Sequence, residues 1–245
     1  MKYYRAIGIN YLFIVLSFAI ISCDEIGDDS AEKKKFAESL EGDTTSTTHG
    51  EATWYDANTL GNCGIEYPAD KMYAAMNRVQ YNNSNTCGTC VEITRLNSNK
   101  KVVVKILDQC PECPFGDIDL SPEVFSKLGT LKEGRIPISW RYVPCPSTPK
   151  ISIRYKSGSS RYWTAIQVIN HRNQVKKVEA RDQNGNFQNL SRTDYNYFLD
   201  DNGFYNGDGP DGPYTLRITD IYGNQLSGTW PFEVNRYIYI DQQFP

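Results

Sequence analysis

The chain has 245 residues, a formal net charge of -3 and 22% charged residues. One hydrophobic core rarely organises that length, so two domains of roughly 100 residues each are expected. The charges are dispersed, without the strong basic field of a nucleic-acid binder or a polybasic membrane-coating face, so no nucleic-acid partner is expected. The 17 Tyr, 10 Phe and 4 Trp suit β structure, and suit stacking on flat ligands equally well.

Lys2 and Arg5 precede an apolar run from Tyr11 to Ile21 that ends in Ile20-Ile21-Ser22-Cys23. A charged region, an apolar region and a small-residue cleavage site in that order predict a signal peptide over residues 1–23 and an exported protein. The run is shorter than the roughly 20 apolar residues a spanning helix needs. An aliphatic residue, a small residue and then cysteine resembles a bacterial lipobox, which makes Cys23 the lipid-modified first residue of a mature lipoprotein at the cell surface or outer membrane. The alternative is a secreted chain without the lipid. Residues 24–49 hold acids, a Lys33-Lys34-Lys35 run, serines and threonines, and almost no large apolar residue, so they read as a solvated tether.

Six further cysteines all lie between Cys63 and Cys145. An even number in an exported domain predicts disulfides. Cys87-Gly-Thr-Cys90 and Cys110-Pro-Glu-Cys113 also have the spacing of a four-cysteine zinc site, which is the competing reading. His49 and His171 are too isolated to suggest a metal or a Ser/His or Cys/His triad. No metal and no cofactor are expected.

Within a first domain at 50–145, the spacing of Met72, Met76 and Val79 predicts a helix from Asp70 to Gln80. Val102 to Leu107 reads as a buried strand that ends at Asp108, where a loop opens. In Asp119-Leu120-Ser121-Pro122, Ser121 caps a short helix, Pro122 takes its first position and Gly129 terminates it. Asp119 would then lie just before a helix N-terminus, where backbone N–H groups could satisfy it. Pro146-Ser147-Thr148-Pro149 is a stiff linker at 146–149. The second domain, 150–245, alternates: Ile151, Ile153 and Tyr155, then Tyr214, Leu216 and Ile218, face one way, with Thr215, Arg217 and Thr219 opposite. With hairpin turns at Asn184-Gly185 and Tyr222-Gly223-Asn224, this predicts a β-sandwich.

The segments Ala52-Thr53-Trp54-Tyr55, Cys87-Gly-Thr-Cys90, Leu107-Asp108-Gln109-Cys110-Pro111 and Asp119-Leu120-Ser121-Pro122 resemble the first domain of the expansin family. Ser159-Ser160-Arg161-Tyr162-Trp163, running into Ala165-Ile166-Gln167-Val168, and Asp194-Tyr195-Asn196 resemble the binding domain of its bacterial members. Each match is short, but they occur together in family order from about Gly50 to Pro245. The resemblance implies a mainly β protein: a six-stranded double-psi β-barrel with short helices, followed by an immunoglobulin-like β-sandwich. It implies a monomer that grips cellulose and matrix glucans such as xyloglucan or mixed-linkage glucan, and loosens their contacts without net hydrolysis.

By position, Thr53, Asp108 and Asp119 would line the groove of the barrel, Asp119 matching the carboxylate that loosening requires. Lys156, Tyr162, Trp163 and Tyr195, with Tyr55 on the barrel, would contact polysaccharide. The disulfides implied by cysteine-bearing members are Cys63–Cys87, Cys90–Cys145 and Cys110–Cys113. Cys110 stands where bacterial members without cysteines carry an aromatic residue, which removes one possible sugar platform.

Three alternatives stay open. Asp56 lies near where related endoglucanases carry a base, so an Asp56/Asp119 hydrolase is one; glycoside hydrolysis generally takes two carboxyls of opposite protonation. A lytic transglycosylase acting on peptidoglycan through Asp119, and a pure cellulose-binding adhesin, are the others. Neighbours on a regular strand point to opposite faces, so periodicity alone puts either Tyr162 or Trp163 in the core. Trp54, Trp140 and Trp230 read as core or groove wall.

Overall fold

The computed structural model describes residues 46–146, 149–201 and 212–245. The expected signal peptide, Cys23, most of the tether, and Ser147 and Thr148 of the linker lie outside the described residues.

Six strands close into a barrel: β1 (Thr48–Trp54), β2 (Tyr73–Asn77), β3 (Cys90–Arg95), β4 (Lys101–Cys110), β5 (Ile118–Leu120) and β6 (Ile136–Val143), in the order β1-β5-β2-β4-β3-β6. β1 begins at Thr48, two residues inside the segment expected to be tether. Alternation builds the core, with Ile136, Ile138 and Trp140 of β6 pointing in while Pro137 and Arg141 stay exposed. The helix expected from Asp70 to Gln80 is replaced by β2, with only α1 (Arg78–Tyr81) helical. All five β2 residues are buried: the strand is paired on both edges, parallel to β4 and antiparallel to β5, and both of its faces are covered as well. A strand covered on both faces loses its period of two, and Met72 and Met76 then mimic a helical repeat. The α2 helix (Pro122–Leu128) forms as its sequence predicts, with Ser121 Oγ accepting from the Val124 N–H at 3.2 Å and Gly129 at its end.

The barrel contains a close backbone crossing. A Cβ on Gly50 would stand 2.2 Å from the carbonyl oxygen of Gly116, and Gly116 has a φ of 92° that L side chains rarely adopt. The crossing loop is fixed from inside: the Trp140 indole N–H donates to the Gly116 carbonyl at 2.8 Å, and Gly116 N–H donates to Gln80 at 2.9 Å. Because backbone meets backbone, no side chain can yield. Gly50→Ala is expected to destabilise the fold by about 3 kcal/mol, read as a lower denaturation midpoint at unchanged slope.

The six cysteines form Cys63–Cys87, Cys90–Cys145 and Cys110–Cys113, with Cα–Cα distances of 5.5, 5.2 and 5.4 Å.

The second module is a sandwich of β7 (Ser152–Tyr155), β8 (Thr164–Ile169), β9 (Val175–Arg181), β10 (Phe187–Asn189), β11 (Ser191–Arg192), β12 (Phe198–Asp200), β13 (Tyr214–Asp220), β14 (Gln225–Trp230) and β15 (Tyr237–Tyr239). One sheet runs β10-β9-β13-β14 and the other β11-β12-β8-β7-β15. Ile151, Ile153, Tyr155, Tyr214, Leu216 and Ile218 all enter one core, as their alternation requires.

Polar bonds lock the modules together. The Cys63 carbonyl accepts from Gln167 Nε2 at 2.8 Å and Asn196 Nδ2 at 3.1 Å, and Arg154 donates to the Gly64 carbonyl at 2.9 Å. Ser84 Oγ donates to the Thr193 carbonyl at 2.7 Å. His171 is buried against Gly88, and burial, aided by the Lys105 charge, pushes its pKa down to about 4, so it packs as a neutral ring.

Candidate functional site

The register of β1 against β5 sets Thr53 beside Asp119. Ile118 and Leu120 point into the barrel, so Asp119 between them points out, where Thr53 Oγ donates to its Oδ1 at 2.6 Å. Burial is the largest influence on Asp119 and raises its pKa above the usual 3.8; the Thr53 hydrogen bond opposes this, and the Glu112 charge adds to it. Asp119 is therefore not satisfied by helix N–H groups. It lies within β5, with Leu120 and the capping Ser121 between it and α2.

Asp108 is not at a strand end, since β4 continues to Cys110. It sits at a bulge, where the pairing with β2 jumps from Ile106 opposite Ala74 to Asp108 opposite Ala75. The bulge turns its carboxylate toward four donors. Oδ1 accepts from the N–H groups of Asn62 at 2.7 Å and Gln109 at 2.8 Å, and Oδ2 from the hydroxyls of Tyr55 at 3.3 Å and Tyr67 at 3.2 Å. Asp108 thus holds two rings in place. Burial pushes the Tyr67 phenol up to about 12 and the Tyr55 phenol higher still, so both remain protonated donors at neutral pH.

Asp56 follows β1 on exposed chain, and its charge is felt by Lys71. The carboxylates whose charge reaches Asp119 are Glu112 and Asp108, with Arg135 acting in the opposite sense. Arg135 is itself paired with Glu51 at 2.8 Å and Asp117 at 3.5 Å. Sequence reasoning missed Glu112, Arg135 and Tyr67. Glu112 lies inside the Cys110–Cys113 loop, and that ring closure was the one local sign of a fixed position. For Tyr67 and Arg135 no local signal exists, since each reaches the groove through tertiary packing.

On the sandwich, Ser160 and Trp163 form a tight hairpin, the Ser160 N–H donating to the Trp163 carbonyl at 2.7 Å, and β8 begins only at Thr164. Strand alternation therefore does not govern Tyr162 and Trp163. Tyr162 is 62% exposed, Trp163 half-buried, and neither belongs to the core. Tyr195 is 38% exposed in the turn between β11 and β12, and half-buried Lys156 follows β7. Trp140 is core, Trp230 packs against the sandwich core, and Trp54 stands partly exposed with its indole N–H on the Leu131 carbonyl at 3.1 Å.

One residue ties the two surfaces together. Asn62 donates its backbone N–H to Asp108, and its side-chain amide to the Asp194 carbonyl at 2.9 Å; Tyr81 OH reaches the same carbonyl at 2.8 Å. Tyr195, next along the chain, is thereby fixed relative to the groove. The groove offers one carboxyl biased toward its neutral form, flanked by tyrosine hydroxyls, and the sandwich offers exposed rings suited to the C–H faces of sugars.

A barrel with a polar carboxyl groove, bonded to a sandwich bearing exposed rings, defines a two-module β protein of the double-psi barrel class. A double-psi barrel family model, described as lytic transglycolase, matches residues 47–140. The chain is 40% identical over 131 residues to Expansin-YoaJ of Bacillus subtilis, a match covering 54% of this chain and only 53% of that protein. It is 31% identical to Expansin-like protein 3 of Dictyostelium discoideum, covering 94% of this chain and 67% of that protein. A crystal structure of a point mutant of Clavibacter michiganensis expansin in complex with cellohexaose superposes with a TM-score of 0.73 at 35% identity, over 82% of this chain and 99% of that one. The chain belongs to the expansin family.

Proposed function

We propose that this protein is exported, binds insoluble plant-type wall polysaccharide through Tyr162, Trp163 and Tyr195, and loosens cellulose–matrix glucan contacts without net hydrolysis through Asp119. The observation that carries this reading is the Asp119 carboxyl, its pKa raised by burial, held by Thr53 in a groove that Asn62 ties to the ring-bearing loop. A neutral carboxyl donates a hydrogen bond to a glucan oxygen and can displace one made between neighbouring chains. Cellohexaose bound to the related Clavibacter protein supports a β-glucan as the ligand class. A second reading, cleavage of peptidoglycan by a lytic transglycosylase, is favoured by the description of the family model over residues 47–140 and by the same raised pKa of Asp119.

Parallel pull-downs on cellulose and peptidoglycan, with product analysis of both supernatants and creep of heat-inactivated plant wall strips under load, separate the two. Cellulose retention and creep without soluble sugar support loosening. Anhydro-muropeptide release establishes the second reading, and retention with neither creep nor products leaves only an adhesin. Because ring stacking on a flat ligand contributes about 1–3 kcal/mol per residue, Trp163→Ala combined with Tyr162→Ala is expected to weaken cellulose binding about 100-fold in depletion isotherms. Both residues lie outside the core, so the melting temperature should stay within about 2 °C of wild type.

A further inference from the structure

A cavity of about 660 Å³ lies between the modules, lined in part by Tyr67, whose hydroxyl bonds Asp108. Its size falls in the range of small-ligand sites, roughly 300–1,000 Å³. The barrel contributes Tyr67, Asp70 and Lys105, and the sandwich contributes Ser152, Tyr237 and Tyr239. Tyr237 and Tyr239 are two apart on β15, so their rings share one face while Ile238 between them enters the core. The Tyr237 ring is held by Arg154, which bonds its hydroxyl at 3.1 Å and lies 5.4 Å from its centroid; Tyr239 is 60% exposed.

The polar groups indicate what would fit. Ser152 is 1% exposed and its hydroxyl has no hydrogen-bond partner, a cost that a ligand hydroxyl would remove. Lys105 is desolvated, with the Asp70 carboxylate as the opposing charge acting on it. Both charge signs on the walls favour a neutral ligand rich in hydroxyls over an anion. The cavity also adjoins the groove: Leu107 lines it immediately before Asp108 in β4, and Tyr67 is a wall of both.

We propose that this cavity receives a single-sugar branch of a neutral glucan whose backbone lies in the Asp119 groove, so that the protein prefers branched matrix glucan to unbranched chains. The branch ring rests on Tyr237 and Tyr239, and its hydroxyls meet Ser152, Lys105 and Asp70. This rests on the glucan-binding reading given above, and the test separates the two. Affinities of the full chain are measured by calorimetry for cellotetraose and for the same backbone carrying single xylose branches. Wild type is expected to bind the branched compound at least 5-fold more tightly. Tyr239→Ala and Lys105→Met should each abolish that preference while leaving cellotetraose affinity within 2-fold. Equal affinities in wild type, or a preference that survives both substitutions, would overturn the proposal. Trp163→Ala reports on the other reading: it should weaken both compounds, and if it weakens neither, the ring strip fails as a glucan site whatever the branch preference.

Discussion

Asp119→Ala is expected to abolish creep of wall strips under load, by at least 10-fold in rate, while cellulose binding in depletion isotherms stays within 2-fold of wild type. The separation follows from geometry, because Asp119 belongs to the barrel and touches Thr53, whereas the exposed rings belong to the sandwich. Asp119→Asn is the sharper probe, since its amide oxygen can still accept from Thr53 while the group no longer ionises. If the neutral carboxyl is the working form, wild-type creep falls as pH rises through the elevated Asp119 pKa, in a window above 3.8. Asp119→Asn should lose that dependence. Stability gives an independent sign. A carboxyl whose folded pKa is raised contributes stability that is fully present below its unfolded value and lost as pH rises through its folded value. Asp119→Asn should therefore melt about 1–3 °C above wild type at neutral pH, an effect kept small by the partial exposure of the carboxyl, and the gap should close below about pH 3.8. An Asn variant that is less stable at neutral pH would mean that the groove favours the ionised form.

Local rules were legible wherever one residue type admits one geometry. Ser121-Pro122 with Gly129 specified a short helix, and the alternation through Tyr214, Leu216 and Ile218 specified a strand with its apolar face in the core, although Thr215 and Thr219 on the opposite face, expected to be exposed, are buried as well. The helix expected at Asp70 to Gln80 failed because the fully buried β2 carries no alternation to read. Asp108 was misplaced because this bulge, at Ile106-Leu107-Asp108, carries no Gly or Pro to mark it in the sequence. Residue type and family position singled out Thr53, Asp119, Tyr162, Trp163 and Tyr195, and the fold puts Thr53 on Asp119 and leaves Tyr162 and Tyr195 exposed. The dependence of Asp119 on Glu112 and Arg135, and the bridging by Asn62, were not legible. Those pairs lie 7, 16 and 132 positions apart, and no periodic pattern encodes them.

Removing the Cys63–Cys87 bridge by Cys63→Ala with Cys87→Ala is expected to cost about 3 kcal/mol and lower the melting temperature by about 6–12 °C. The bridge closes a separation of 24 residues, whereas Cys110–Cys113 closes 3, so the matching pair of substitutions there should cost about half as much. The two bridges should also differ in function. The Cys63 carbonyl is where Gln167 and Asn196 of the sandwich dock, and Asn196 follows Tyr195 directly. Loosening the chain at Cys63 frees the Tyr195 turn relative to the groove, so cellulose affinity should fall several-fold although no ring has been removed. The Cys110–Cys113 loop carries Glu112 toward Asp119, so opening it should leave cellulose affinity intact and instead shift the pH at which creep declines toward lower values, as the Glu112 charge moves away. Equal effects of the two double substitutions on binding would show that the interface bonds at Cys63 do not align the modules.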